Sequence, residues 1–205
     1  MEARVLHWGR SGMNELVFFV EEESAKALLE RIFPQLVPSG SQVHPRFIVF
    51  EGKQDLVKQL PNKLRGYLNP RARFIVMRDQ DQADCRKIKK SLAALCTRAG
   101  RPQTIVRIAW GELEAFYLGD LLAVEKGLDL SGIAGRQNKA KFRDPDRLVR
   151  PSYELQKLTG NRYQKVAGSR AIAPHLNLNA PRSRSFHNLI RAIRLANADL
   201  HASES

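Results

Sequence analysis

Acidic side chains follow two apolar runs of strand length. Glu21 comes directly after the run at 15–20 (ELVFFV), and Asp79 and Asp81 come just after the run at 74–77 (FIVM). Residues two apart on a strand point to the same side, so Asp79 and Asp81 are expected to converge. If the two strands are neighbours in a sheet, Glu21 lies close to both.

The chemistry of these three acids indicates a divalent metal. Carboxylates at close range repel one another unless a cation lies among them. Oxygen ligands that leave positions open for water and phosphate favour Mg²⁺ or Mn²⁺ over zinc. The sequence therefore predicts a Mg²⁺ (or Mn²⁺) site at Glu21, Asp79 and Asp81, where a metal would polarise a phosphodiester and activate a nucleophile. The alternative for an acid after a strand is a turn or helix-capping role.

Two further acids, Glu112 and Glu114, follow the apolar run at 104–109 (TIVRIA). Glu112 is placed to meet a metal at the edge of the sheet, and Glu114 could reach it from the first turn of the next helix. The two point in different directions on a helix, so one ion need not use both. The alternative is that they stabilise the positive N-terminal end of that helix.

A basic segment at 160–170 (GNRYQKVAGSR) combines Tyr163, Lys165 and Arg170. Lys165 and Arg170 could neutralise phosphate, and Tyr163 could stack on a base. Lys165 is the cation that we expect to stabilise negative charge in a transition state. The alternative is a solvated basic loop.

The net charge indicates a polyanionic partner. The 205-residue chain carries 34 Lys and Arg against 21 Asp and Glu, a formal charge of +13. Residues 131–205 hold 14 of the basic and five of the acidic side chains. A positive field concentrated in the last third is typical of nucleic-acid binding, although a solubilising surface is the alternative.

The apolar runs exclude a membrane-spanning protein, because none approaches the roughly 20 residues needed to cross a bilayer. The N-terminus has no apolar core of signal-peptide length, which predicts a cytoplasmic location. Met13 stands just before the first strand, so residues 1–12 are expected to be a dispensable leader.

Short apolar runs alternate with helix-period segments from residue 15 onward. This β-α-β-α-β-α-β-α order predicts an α/β core at 13–129, with a mainly parallel four-stranded sheet flanked by helices. Residues 130–205 are expected to form a basic helical extension packed on that core. Helices are predicted to be capped by Ser24 and Asp84, and a single helix is predicted over 112–126. A helix at 53–68 is expected to be divided by Pro61.

Six segments in the same order resemble the bacterial domain-of-unknown-function family 4276, over about residues 15–195. They are FFVEEESAKALLERIFP, FEGKQDLVKQLPNKLRGY, FIVMRDQDQADCRKIKK, GELEAFYLGD, RYQKVAGSRAIAPHL and RSFHNLIRAIR. That family is similar to the Toprim fold of topoisomerases, primases and overcoming-lysogenisation-defect nucleases. The resemblance implies that Glu21 takes the Toprim glutamate role and that Asp79 and Asp81 take the DxD role, together holding Mg²⁺.

The function expected from this resemblance is a Mg²⁺-dependent nuclease acting on DNA or RNA. Several Toprim-like relatives work beside ATPases in defence against phage, so an ATPase partner is a further implication. Many Toprim proteins have glycine after the glutamate, where this chain has Glu22, and this departure favours an alternative: a non-catalytic binding or regulatory subunit. A third reading is nucleotidyl transfer, as in primases.

Overall fold

Four parallel strands form the centre of the molecule. The computed structural model describes residues 12–202, so the predicted leader lies outside the described residues except for Gly12. The strand order is β2-β1-β3-β4, and every neighbouring pair is parallel. The predicted α/β fold with a four-stranded sheet flanked by helices is confirmed. The strands are β1 (Asn14–Val20), β2 (Val43–Val49), β3 (Ala72–Asp79) and β4 (Ile105–Ala109).

Helices cover both faces of this sheet. On one face, α2 and α3 pack against alternate strand residues such as Val17 and Phe19. On the other face, α1, α4, α5, α8 and α9 pack against the intervening residues such as Phe18 and Val20. Burial on both faces explains why residues 16–20 of β1 are continuously apolar rather than alternating. The helices are α1 (Glu23–Leu36), α2 (Lys53–Arg65), α3 (Cys85–Arg98), α4 (Glu114–Leu118), α5 (Leu121–Gly127), α6 (Ala140–Arg143), α7 (Pro151–Leu158), α8 (Lys165–Ile172) and α9 (Arg184–Ala202).

Helix α2 continues through Pro61, so the prediction that this proline divides it is wrong. A proline inside a helix removes one backbone hydrogen bond. The buried residues Leu56, Leu60 and Leu64 recur every four positions and hold one side of the helix against the sheet. Packing of that apolar stripe outweighs the local cost of the proline.

The predicted single helix over 112–126 is two helices, α4 and α5, separated at Gly119 and Asp120. The Asp120 carboxylate accepts a hydrogen bond from the Ala123 N–H at the start of α5. It also accepts one from the Asn177 N–H at 2.8 Å, so it ties the break to the C-terminal segment. Asp84 caps α3 as predicted, whereas the N-cap of α1 is Glu22 instead of Ser24.

The C-terminal segment packs directly on the sheet. Helix α9 contacts β4, β3 and β1, and α8 contacts α1 and α5. Side chains from both sides of residue 130, such as Phe116 and Phe186, belong to one apolar cluster, and these two rings stack at 4.7 Å between centroids. Within residues 12–202, no helix combines the length and apolar character needed to cross a membrane.

Candidate functional site

The ends of β1, β3 and β4 lie at one edge of the sheet. Val20 pairs with Met77, and Asp79 pairs with Ala109. Glu21 leaves β1 at this edge, and its Oε2 accepts a hydrogen bond from the Asp79 N–H at 3.3 Å. The predicted proximity of the ends of the first and third strands is therefore present.

Strand alternation separates the acids into two groups. Phe19 and Phe74 face α2 and α3, so Glu21 and Arg78 continue that side of their strands. The Arg78 Nε lies 3.7 Å from Glu21 Oε2. Burial raises the pKa of Glu21, although the positive charge of Arg78 opposes the increase.

The acids of this first group are Glu21 and Asp81, and Asp79 is not one of them. Strand β3 ends at Asp79, and Asp81 has a positive φ of 53°, so the alternation that predicted convergence stops before reaching it. Its Oδ2 lies 2.9 Å from the Lys53 Nζ and 3.8 Å from an Arg78 guanidinium nitrogen. The predicted convergence of the Asp79 and Asp81 side chains is wrong.

The second group lies on the opposite side of the sheet and consists of Glu22, Asp79 and Glu114. Val20 and Met77 face α1, and extended backbone at Glu22 (φ −151°, ψ 164°) continues the alternation by one residue. Burial raises the pKa of Asp79 well above its usual range, and the negative charges of Glu114, Glu22 and Glu21 raise it further. These acids are therefore electrostatic neighbours.

Glu114 is the most deeply placed member of this second group. It is 0% exposed, in the first turn of α4. Its Oε1 accepts a hydrogen bond from the Tyr163 hydroxyl at 3.1 Å, while its Oε2 is buried with no hydrogen-bond partner among the described residues. Burial raises the pKa of Glu114, against the opposing charge of Lys165. A buried carboxylate oxygen without a donor is costly unless a ligand satisfies it.

Lys165 supplies positive charge to this second group. Its Nζ lies 3.2 Å from Glu22 Oε2, across 143 positions of sequence. Burial disfavours the charged ammonium, but the carboxylates of Glu114 and Glu22 outweigh that effect and raise the pKa of Lys165. The structure thus brings together Lys165, Asp79 and Glu114, three residues that the sequence had marked separately.

Tyr163 lies in the core of the protein. It is 1% exposed, and its ring packs against Gly168 and near Tyr117. The prediction that Tyr163 stacks on a base is wrong, because neither face of its ring reaches the surface. Its hydroxyl orients Glu114 instead. Arg170 lies exposed on α8, where its predicted contact with nucleic acid stays a prediction.

The Glu112 carboxylate binds a helix terminus, although its negative charge contributes to the raised pKa of Glu114. Its Oε2 accepts a hydrogen bond from the Ser152 N–H at 2.6 Å, in the first turn of α7. This contact stabilises the positive end of a helix, although the helix is α7 rather than the one that Glu112 precedes. Glu112 also lines a cleft of about 630 Å³ with Lys53, Arg78 and Asp81.

Residues 20–194 match the model of a protein family described as a domain of unknown function (DUF4276). The chain belongs to this family. The match covers most of the chain and includes both acidic groups and Lys165. No curated protein and no solved structure matches it.

The donor atoms of the second acidic group suit a divalent cation, although they are not drawn together around one. Among residues 12–202, no three His, Cys, Asp or Glu side chains form a group that could hold a metal ion. The carboxylate oxygens of Glu22, Asp79 and Glu114 are nevertheless the ligand type that Mg²⁺ and Mn²⁺ prefer. A cation would offset their mutual repulsion and would give the Glu114 Oε2 a partner. The donor type of this DUF4276 site is thus the one that the predicted metal requires, and the set keeps Asp79 and Glu114 from the sequence prediction but has Glu22 instead of Glu21 and Asp81.

Glu22 is the residue that the sequence analysis treated as a departure from the Toprim pattern, without a role at the metal. Its signal was its position directly after β1, one step beyond Glu21 and so on the opposite side of the strand. A neighbouring buried hydroxyl, that of Tyr117, also has no hydrogen-bond partner within the described residues, and nothing in the sequence distinguished it from a core tyrosine.

These raised pKa values predict how stability depends on pH in the metal-free protein. A carboxyl whose pKa is higher in the folded than in the unfolded chain makes folding less favourable as the pH rises from about 4 through the folded value. We expect Glu114→Gln to reduce this loss of stability between about pH 4 and neutrality, since glutamine keeps an acceptor for Tyr163 and carries no charge. Urea unfolding free energies, measured in EDTA at several pH values, test this.

The control for this experiment is Glu30→Gln, which removes a carboxylate from the exposed side of α1. Other titrating groups, including Glu15, contribute equally to wild type and variant, so the difference isolates Glu114 and its effect on Asp79. Parallel stability curves for wild type and Glu114→Gln would contradict the electrostatic coupling.

Proposed function

We propose that this chain is a Toprim-like, Mg²⁺- or Mn²⁺-dependent phosphodiesterase that cleaves DNA or RNA. One observation carries the proposal. At the carboxyl edge of a parallel sheet, Glu22, Asp79 and Glu114 are grouped near Lys165, and one buried Glu114 oxygen has no hydrogen-bond partner within residues 12–202. Acids at this edge of an α/β sheet are in the usual position for ligand binding.

The residues of the two groups have separate roles in this proposal. Glu22, Asp79 and Glu114 hold the metal, which when bound would polarise the phosphodiester and lower the pKa of an attacking water. Lys165 offsets negative charge on the phosphate, and the Tyr163 hydroxyl fixes the orientation of Glu114. Glu21, held by Arg78, is the candidate general base for a water molecule, since its raised pKa brings it closer to the range useful for proton transfer.

The biological setting is part of the same proposal. A cytoplasmic nuclease that responds to phage and works beside an ATPase partner would agree with the implied relation to overcoming-lysogenisation-defect nucleases. The strongly positive chain, at +13, supports a nucleic acid as the substrate.

A non-catalytic nucleic-acid- or protein-binding regulatory subunit is the second candidate. The ion pair between Lys165 and Glu22 favours it, because an internal cation already offsets part of the negative charge without any metal. The two candidates differ in whether a metal ion binds at the carboxylates and in whether nucleic acid is shortened.

A cleavage assay with the wild-type chain decides between them. We expect labelled DNA or RNA to be shortened in Mg²⁺ or Mn²⁺ and left intact in EDTA. Nucleic-acid binding without cleavage and without bound metal would contradict the nuclease and favour the regulatory subunit. Extended rather than shortened products in the presence of nucleotides would instead indicate nucleotidyl transfer.

A further inference from the structure

A basic groove lies along the edge strand β4, between α3 on one face of the sheet and α9 on the other. It has a volume of about 380 Å³, and none of the nine residues that line it is acidic. Arg86 and Lys89 reach it from α3, Arg107 from β4 and Asn188 from α9. Neither the acidic groups nor the basic segment at 160–170 contributes a residue to it.

The elements around the groove extend its positive charge. Helix α3 carries five basic side chains and no acidic one over Cys85–Arg98. The nearby Asp84 carboxylate is occupied as the N-cap of α3, where it accepts hydrogen bonds from the Arg86 and Lys87 N–H groups. The positive charge of the groove is therefore available to an external anion.

Arg107 forms part of the floor of the groove, since it lies on β4. Arg107 is half-buried, and its Nε donates to the Asn188 carbonyl at 3.0 Å, which fixes the guanidinium against α9. Burial and then the positive charge of Arg191 lower the pKa of Arg107. A half-buried guanidinium near a like charge is unfavourable, and a bound phosphate would offset that cost.

An aromatic side chain stands at the end of the groove that is nearer the carboxylates. Trp110 follows β4 directly and is 36% exposed, and its backbone N–H donates to Ser185 Oγ. The preceding residue, Ala109, pairs with Asp79 in the sheet. A strand bound along β4 would thus pass its bases over the indole on the way to the acidic edge.

We propose that this groove binds single-stranded nucleic acid, with phosphates on Arg86, Lys89 and Arg107 and a base stacked on Trp110. Separate cations at the wall and floor of a groove, with an exposed indole at its end, are features of sequence-tolerant single-strand binding. The inference deepens the proposed function, on which it rests for the identity of the polyanion. It places the path of the substrate on α3, β4 and α9, apart from Lys165 and Arg170.

The test compares two triple variants that remove equal charge. One is Arg86→Gln, Lys89→Gln and Arg107→Gln in the groove, and the other is Lys58→Gln, Lys63→Gln and Arg65→Gln on the exposed side of α2. Fluorescence anisotropy in EDTA reports binding of a labelled single-stranded oligonucleotide at several salt concentrations. We expect the groove variant to bind at least about tenfold more weakly and to lose about 2 from the salt slope, at roughly 0.7 for each phosphate contact.

Two further variants make the result specific. Arg107→Lys keeps the charge at the floor and should retain most of the affinity, which guards against loss through misfolding. Trp110→Ala should weaken binding of the single strand more than binding of a duplex, since only unpaired bases stack freely. Melting curves followed by circular dichroism establish that each variant is folded.

Several outcomes would contradict the proposal that this groove binds single-stranded nucleic acid. These are unchanged affinity in the groove variant, equal losses in the α2 control, and binding of anionic lipid vesicles without binding of the oligonucleotide. If the wild type cleaves nucleic acid and the groove variant binds it normally, the proposed binding site is wrong and the proposed nuclease activity is supported. If the groove is required for binding and the wild type never cleaves nucleic acid, the proposed nuclease activity is wrong and the proposed binding site is supported.

Discussion

Replacing Asp79 with asparagine should lower metal-dependent cleavage by at least about 10³-fold, whereas Asp81→Asn should lower it by less than about tenfold. Asp79 lies at the edge of the sheet under the combined negative charge of Glu114 and Glu22, where a cation would be most strongly attracted. Asp81 instead pairs with Lys53, and both side chains are substantially exposed. A surface ion pair of this kind contributes only about 0–1 kcal/mol.

Single-turnover cleavage rates measure this difference without interference from product release. Calorimetric titration with Mn²⁺ should show in parallel that Asp79→Asn loses metal binding and that Asp81→Asn retains it. The two substitutions are chemically identical and lie two positions apart, so each is the control for the other. Equal losses of activity would restore the DxD pair that the sequence predicted and would contradict the grouping of Asp79 with Glu22 and Glu114.

The position of the site at the sheet edge could be predicted from the sequence because it depends on element order alone. Parallel strands that end in acids bring those acids to one edge, whatever the details of packing. The side of the sheet on which each acid lies could also have been predicted from the sequence. Counting alternate residues forward from Val20 and Met77 puts Glu22 and Asp79 on one side of the sheet, and Glu21 and Arg78 on the other. The error was to group acids by their nearness to strand ends without following that count.

The contacts that complete the second group could not be predicted, because they depend on tertiary packing of the C-terminal segment. Glu114 meets Tyr163 across 49 positions, and Lys165 meets Glu22 across 143. No periodicity in the sequence specifies how α8 is placed against α1. The direction of the Asp81 side chain could not be predicted either, because it depends on a positive φ just beyond the end of β3.

The packing of α8 predicts the second large effect, a loss of stability in Gly127→Ala. Gly127 is the last residue of α5, and a Cβ there would lie 2.6 Å from the Ile172 Cα and 2.7 Å from the Ala171 carbonyl oxygen. Both neighbours are backbone atoms of α8, so no side-chain rotation can relieve the contact. Overpacking typically costs about 1–3 kcal/mol, and we expect the upper end of that range, about 3 kcal/mol, from urea unfolding.

Gly135→Ala is the matched control for this substitution. Gly135 has no atom within 4 Å of its ideal Cβ position and no positive φ, so alanine there should leave stability unchanged or raise it by up to about 1 kcal/mol. Similar unfolding free energies for the two variants would contradict the close approach of α5 and α8. Because Lys165 begins α8, displacement of that helix should also weaken its contact with Glu22. A stability loss at Gly127 accompanied by lower cleavage would therefore indicate that residues beyond 130 position the site, in addition to carrying most of the net positive charge.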